Sequence, residues 1–301
     1  MKPFHTLGDL VSRDVLDAGH AKPAKLAVLG FPIAHSASPR MHQPALDALG
    51  IDARYIRLEV EPGKIPEAFA RMRGLGFIGC NVTVPHKLEA LEACDEVDPE
   101  ARELGAVNTV RFDADATRGW NTDGPGFAAA VEEEFGAALG DLSVAILGAG
   151  GGAGMAIATF CALRGSPRIV LANRTVEKLA PLADRLRALA PCSEIVTVPM
   201  DPDVLTIELA KCGLIANATS LGMKETDPAV LPADCIPAGC FVYDAIYQPP
   251  VTRLLADAAA KGCRTANGLA MLLHQGVLAF RIWFPGTEPI EHMRSGLAST
   301  R

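Results

Sequence analysis

The 301-residue chain carries 28 lysines and arginines against 35 aspartates and glutamates; a net charge of −7 argues against nucleic-acid and anionic-membrane partners. A hydrophobic fraction of 49% with 21% charged residues excludes a disordered polyelectrolyte, and the length suits one large domain or two of roughly 150 residues. The eight cysteines, at 80, 94, 161, 192, 212, 235, 240 and 263, form no CxxC pair and no zinc spacing, so free thiols in a reducing cytoplasm and no metal are expected. No apolar run approaches the roughly 20 residues of a membrane span, and no basic-then-apolar leader is seen.

In chain order, residues 1–23 read as an appended helix or loose arm with no assigned function. Residues 25–30 form a short apolar run typical of a buried strand. Residues 39–49 follow with Met41, Ala45, Leu46 and Leu49 at helical spacing. Residues 54–60 alternate as a half-buried strand, and further strands are predicted at 77–82 and 107–112. The run 143–147 ends in a glycine cluster and opens a second series, with strands near 168–172, 194–198, 214–216 and 241–244. Residues 268–283 form an apolar helical pattern that either caps the second series or returns to the first. Strands alternating with helices predict α/β domains with mainly parallel sheets.

The cluster Gly148, Ala149, Gly150, Gly151, Gly152, Ala153 lies between a predicted strand and a helical pattern at 155–163. Glycine at 148 permits a tight turn, glycine at 150 lets backbone approach a pyrophosphate, and a small residue at 153 allows close helix packing. The helix N-terminus then offers amides to an anion. A structural turn is the competing reading; the strand-loop-helix setting favours dinucleotide binding. After the next strand come Asn173, Arg174 and Thr175, with Lys178 one turn on and no acid at the strand tip. Arg174 and Lys178 suit a 2′-phosphate, so NADP is expected over NAD, although solvated helix-start charges would look the same and Glu177 opposes the preference.

In the first half, residues 81–87 (NVTVPHK), Asn108-Thr109 and residues 121–124 (NTDG) gather polar groups at strand ends, where α/β folds place ligands. Lys87 and Asp123 are then a candidate pair in a cleft; by spacing alone a surface salt bridge fits equally well.

Nine segments in order, GFPIAHSASP at 30–39, NVTVPHK at 81–87, AVNT at 106–109, NTDG at 121–124, GAGG at 148–151, NRT at 173–175, NATSLGM at 217–223, YDAIYQPPVT at 243–252 and NGLAMLLHQG at 267–276, resemble the shikimate dehydrogenase family over roughly residues 25–290. The resemblance implies two α/β domains with a cleft between them: a substrate-binding domain of residues 24–123 and 268–301, and a Rossmann-like NADP-binding domain of residues 124–267, after an extension of residues 1–23. It implies NADPH-dependent, reversible reduction of 3-dehydroshikimate to shikimate, with Lys87 and Asp123 catalytic. Ser36 and Ser38 would bind the substrate carboxylate with Thr83 close by; helix capping before Pro39 is their alternative role. Asn81, Asn108, Asp123 and Gln275 would contact ring hydroxyls, and Tyr247 would lie near the substrate. Thr219 and Gly268 join Gly148 to Ala153, Asn173, Arg174, Thr175 and Lys178 as implied cofactor residues.

The same resemblance sends the helix from 268 back to the first domain, since it carries Gln275. His35, His42, His86 and His274 match no catalytic position and are expected to make structural hydrogen bonds. Ala37, Gln43 and Ala245 depart from the family pattern, which keeps quinate or aminoshikimate paralogues in view, as well as a non-catalytic metabolite sensor. Monomers and homodimers both occur in the family.

Overall fold

The computed structural model describes residues 3–298; residues 1–2 and 299–301, the outer ends of the expected extension and substrate domain, lie outside the described residues. The chain divides into two compact units, Met1–Thr122 with Leu273–Arg301, and Asp123–Leu272.

In the first unit β1 (His5–Thr6) and α1 (Arg13–Leu16) precede β2 (Ala24–Gly30), α2 (Ser38–Ala48), β3 (Arg54–Glu59), α3 (Ile65–Gly74), β4 (Gly79–Val82) and α4 (Lys87–Ala93). Then come β5 (Glu96–Val97), α5 (Pro99–Leu104), β6 (Thr109–Phe112) and β7 (Thr117–Trp120). The sheet order is β1-β3-β2-β4-β6-β7-β5. Strands β1, β3, β2 and β4 run parallel, whereas β6 is antiparallel to both β4 and β7. Side-chain alternation sorts the central strands into two faces. Ala27, Leu29, Ile56, Leu58, Cys80 and Val82 join Phe69 and Met72 of α3 in one apolar core. Tyr55, Arg57 and Asn81 point to the other face, Arg57 and Asn81 sharing a register with Val28.

The N-terminal residues are neither a plain helix nor a loose arm. Strand β1 extends the sheet edge, with His5 opposite Leu58. Arg13 donates to the carbonyls of Ala24 and Leu75 and sits 5.2 Å from the centre of the Phe77 ring. Asp17 accepts from the Ala24 amide at 2.7 Å and pairs with Arg54 at 3.0 Å. A two-residue strand has no readable period, and these partners lie far along the chain.

The second unit contains α6 (Asp123–Phe135), β8 (Val144–Leu147), α7 (Gly152–Leu163), β9 (Arg168–Asn173), α8 (Ala180–Leu189), β10 (Glu194–Pro199) and α9 (Pro202–Leu209). It continues with β11 (Leu214–Asn217), β12 (Phe241–Asp244), α10 (Arg253–Ala260), β13 (Arg264–Asn267) and the start of α11 (Leu269–Trp283). Six strands pair in the order β10-β9-β8-β11-β12-β13, all parallel. By order of appearance this is 3-2-1-4-5-6, the doubly wound Rossmann arrangement. Val144 to Leu147 of the central strand are fully buried, which is why the segment reads as an unbroken apolar run.

From Leu273 onward α11 belongs to the first unit, followed by α12 (Ile290–Ala298). Trp283 Nε1 donates to the Val110 carbonyl at 2.9 Å, and Arg111 donates to the Ile282 carbonyl at 3.1 Å. His42 of α2 stacks on Tyr55 with centroids 4.5 Å apart and planes 3° from parallel. Phe280 and Trp283 complete that aromatic group. The expectation of a hydrogen-bonding role fails for His42, because neither ring nitrogen has a partner among the described residues. Complete burial holds its pKa down to about 3, so the ring is a neutral packing element.

Candidate functional site

Each sheet has a point where strand order reverses, and part of the candidate set follows the C-terminal ends of the strands there. In the first unit that point lies between β2 and β4. A side chain at Gly30 would press, at 2.7 Å, on both Ile33 and Thr83, so glycine lets the loops after the two strands meet. The Thr83 amide donates to the Leu29 carbonyl and the Phe31 amide to the Val84 carbonyl, and both loops contain a cis proline, Pro32 and Pro85.

Ser36 and Ser38 come together here: Ser36 Oγ donates to Ser38 Oγ at 3.2 Å. The Arg57 guanidinium grips the Ser36 carbonyl through Nε at 3.0 Å and Nη2 at 2.8 Å. Ala37 is the N-cap of α2 and no side chain caps the helix there. The capping alternative reduces to one long bond from the Ser38 amide to Ser36 Oγ at 3.3 Å. Neither hydroxyl is therefore tied up in a regular helix cap.

Asn81, near the end of β4, is buried beside Tyr55, whose hydroxyl donates to Asn81 Oδ1 at 2.6 Å. Asn81 Nδ2 donates to Thr109 Oγ1 at 3.1 Å, its opposite number on β6. Asn108 Oδ1 in turn accepts from Thr109 Oγ1 at 3.0 Å, the Thr122 amide at 2.8 Å and Thr122 Oγ1 at 3.2 Å. Tyr55, Asn81, Thr109, Asn108 and Thr122 thus share one polar network, while Ser36 and Ser38 form a hydroxyl pair of their own. Thr109 and Thr122 stand in motifs legible in the sequence; Tyr55 and Arg57 were missed as participants, since only strand register brings them in.

Lys87 is the first residue of α4 and half-buried. The loop that holds it is pinned by His86, buried with Nε2 2.7 Å from the Val60 carbonyl, and by the Val107 amide donating to the Lys87 carbonyl at 3.0 Å. Asp123 opens α6 directly after Thr122. Gln275 lies in the part of α11 that belongs to the first unit.

In the second unit the reversal falls between β8 and β11. Gly148 follows β8 with φ +82°, and a side chain there would strike Thr219 Cγ2 at 2.5 Å. Ala149 is buried, a Cβ on Gly150 would crowd the Asn173 amide at 3.0 Å, and Gly151 is the N-cap of α7, which starts at Gly152. The close-packing position is Gly154, where a Cβ would overlap the Gly148 carbonyl; Ala153 is exposed. The expected role of Ala153 in helix packing is therefore corrected by one residue. No acidic side chain occupies the first turn of α7, which leaves its amides to an anion.

Arg174 and Lys178 are exposed after β9, and neither pairs with a carboxylate among the described residues. Asn173 Nδ2 bonds the Thr175 carbonyl at 3.0 Å and shapes that turn. Thr219 is fixed by Asn217, whose Oδ1 accepts from its amide at 3.0 Å and its hydroxyl at 2.8 Å. Asn217 Nδ2 donates to buried Asp244 Oδ1 at 3.0 Å, and Thr252 Oγ1 donates to Asp244 Oδ2 at 2.6 Å. Sequence reasoning missed Asp244, which joins the loops after β11 and β12. Tyr247 is half-buried in the second of these loops, and any side chain at Gly268 would collide with the Ala245 carbonyl. Among the described residues no cluster of acidic, histidine or cysteine side chains is arranged to hold a metal, and no helix is long and apolar enough to cross a membrane.

Residues 28–110 match the shikimate dehydrogenase substrate binding domain, and residues 268–295 match the shikimate 5′-dehydrogenase C-terminal domain. The chain is 41% identical over 274 residues to the shikimate dehydrogenase (NADP(+)) of Symbiobacterium thermophilum, covering 90% of this chain and 92% of the relative. Among solved structures, shikimate 5-dehydrogenase of Thermus thermophilus in complex with NADP(H) and shikimate is similar with a TM-score of 0.80 and 35% identity, over 92% of this chain and 99% of that one. Quinate dehydrogenase of Corynebacterium glutamicum in complex with NAD is similar with a TM-score of 0.81 and 31% identity, over 91% and 98%.

Proposed function

Since the chain belongs to the shikimate dehydrogenase family, we propose that its first unit binds a carboxylated cyclohexene polyol and that Lys87 and Asp123 handle the proton. The protein is an NADP-dependent oxidoreductase that reversibly reduces 3-dehydroshikimate to shikimate in aromatic amino acid biosynthesis. The observation that carries the substrate reading is the hydroxyl pair of Ser36 and Ser38 together with the hydroxyl and amide network from Tyr55 to Asn108. Hydroxyl donors at Ser36 and Ser38 suit a carboxylate, and the amides of Asn81 and Asn108 suit ring hydroxyls.

The second unit fits the cofactor. Glycines at 148, 150 and 154 let the turn after β8 pack closely against Thr219, Asn173 and the start of α7, whose first turn carries no acidic side chain to compete with an anion. When bound, NADPH supplies the hydride for the ketone carbon. Lys87 then gives a proton to the carbonyl oxygen, while Asp123 orients Lys87 and binds a neighbouring hydroxyl. Thr83 and Tyr247 line the substrate, Gln275 holds a ring hydroxyl, and Thr219 with Gly268 contacts the cofactor. We assign the activity to the cytoplasm, where eight unpaired thiols stay reduced.

The direct test compares kcat/KM for shikimate and quinate, each with NADP+ and NAD+. Shikimate with NADP+ should be the best pair; a preference for quinate would reassign the substrate, and tight binding without turnover would restore a sensor. Arg174→Ala should raise KM for NADP+ by roughly ten- to a hundredfold, the effect of losing charge-assisted hydrogen bonds worth about 1.5–3 kcal/mol. Kinetics with NAD+ should change little. Equal losses with both cofactors would remove Arg174 from recognition of the 2′-phosphate.

A further inference from the structure

We propose that Tyr55 is a positioning residue that fixes the hydrogen-bonding polarity of Asn81, making it an acceptor toward the ring opposite Asn108, a donor. The inference rests on the assignment of Asn81 and Asn108 to the substrate.

Tyr55 is only 4% exposed. Its hydroxyl donates to Asn81 Oδ1 at 2.6 Å. Burial pushes its pKa well above 10, which keeps the phenol protonated and a donor at any working pH. The other contacts of Asn81 exclude a flipped amide. Nδ2 faces Thr109 Oγ1 at 3.1 Å and the Asn108 carbonyl at 3.4 Å; reversal would set an oxygen against that carbonyl. Both Nδ2 hydrogens are committed, so Asn81 offers a ligand only the remaining lone pair on Oδ1.

Asn108 is held the opposite way. Its Oδ1 already accepts from Thr109 Oγ1, the Thr122 amide and Thr122 Oγ1. The group left to meet a ligand is Nδ2, a donor. Two ring hydroxyls are thereby told apart, one donating to Asn81 and the other accepting from Asn108. The register explains why Tyr55 reaches Asn81: it sits two residues before Arg57, the neighbour in line with Val28 and Asn81, and so shares their face of the sheet. The His42 ring stacked on it prevents the phenol from swinging away.

The experiment is a double-mutant cycle with Tyr55→Phe and Asn81→Ala, read by steady-state kinetics and thermal unfolding. Phenylalanine keeps the stack on His42 and removes only the hydroxyl. Tyr55→Phe is expected to raise KM for shikimate about tenfold, the order of one buried hydrogen bond, with kcat within about threefold and KM for NADP+ unchanged. In the Asn81→Ala background it should add nothing to KM. A full, additive effect in that background would overturn the proposal, as would unchanged KM in Tyr55→Phe while Asn81→Ala raises it. An Asn81→Ala variant with normal KM would overturn the substrate assignment itself, and the proposal with it. The unsubstituted protein gives a check that needs no variant to fold: the Asn81 side-chain amide should be protected from hydrogen exchange without ligand, and rapid exchange would overturn the fixed orientation.

Discussion

Replacing Lys87 with alanine is expected to lower kcat by about 10²- to 10⁴-fold while KM for shikimate stays within a few-fold, the usual range for loss of a general acid. The split follows from where the residue sits. Its loop is held by backbone bonds to Leu29, by the His86 ring on the Val60 carbonyl, and by the Val107 amide on the Lys87 carbonyl. None of these uses the lysine side chain, so the substitution leaves the cage of Ser36, Ser38, Asn81 and Asn108 in place. Shikimate should therefore still bind, and the loss should appear in the chemical step. Single-turnover oxidation with saturating NADP+ measures that step directly. An unchanged rate would sink the assignment of Lys87 as proton donor, and a proportional rise in KM would recast it as a binding group.

Asp244→Ala should cost about 3 kcal/mol or more of stability, since it strands several buried donors at once and each unsatisfied group costs roughly 1–3 kcal/mol. Those donors are Asn217 Nδ2, Thr252 Oγ1 and the Ile246 amide. Because Asn217 also holds Thr219, KM for NADP+ should rise in the same variant. Asp244→Asn should be milder: the amide oxygen still accepts, and the Thr252 hydroxyl can turn to accept from the new NH2. Urea unfolding followed by circular dichroism compares the three proteins, and equal stability of Asp244→Ala with the parent would refute the role.

The pH dependence has a definite sign. Burial raises the Asp244 pKa above the ordinary carboxylate value, against the lowering influence of its hydrogen bonds. A carboxyl raised by folding contributes most below its unfolded pKa of about 4, and part of that contribution is lost as pH climbs through the folded value. The stability gap between parent and Asp244→Ala should therefore narrow as pH rises from about 4 toward neutrality. A widening gap would contradict the direction of the shift.

The features legible in the sequence are those that depend on neighbours along the chain. Alternation from Arg54 to Glu59, the unbroken apolar run of β8 and the helical spacing of Met41, Ala45 and Leu46 reflect the periods of strand and helix. Gly148 was legible for a similar reason: a positive φ after a buried strand demands glycine locally. The serines, asparagines and Lys87 stood out through the order of their motifs. Strands β5 and β7 were not read, nor was β13, whose Arg-Thr-Ala-Asn has no apolar period and which owes its conformation to pairing with β12.

The α/β class, the two units and the parallel strands could all be read from the chain alone, because local periodicity and glycine geometry are written into short stretches of it. Three outcomes could not: that Tyr55 orients Asn81, that Asp244 ties Asn217 to Thr252, and that Gly154 rather than Ala153 packs against the turn. Those follow from strand register and burial in the folded molecule. They depend on groups that meet only after the sheets form, where an unpaired polar atom or an extra methyl group is costly enough to select one arrangement.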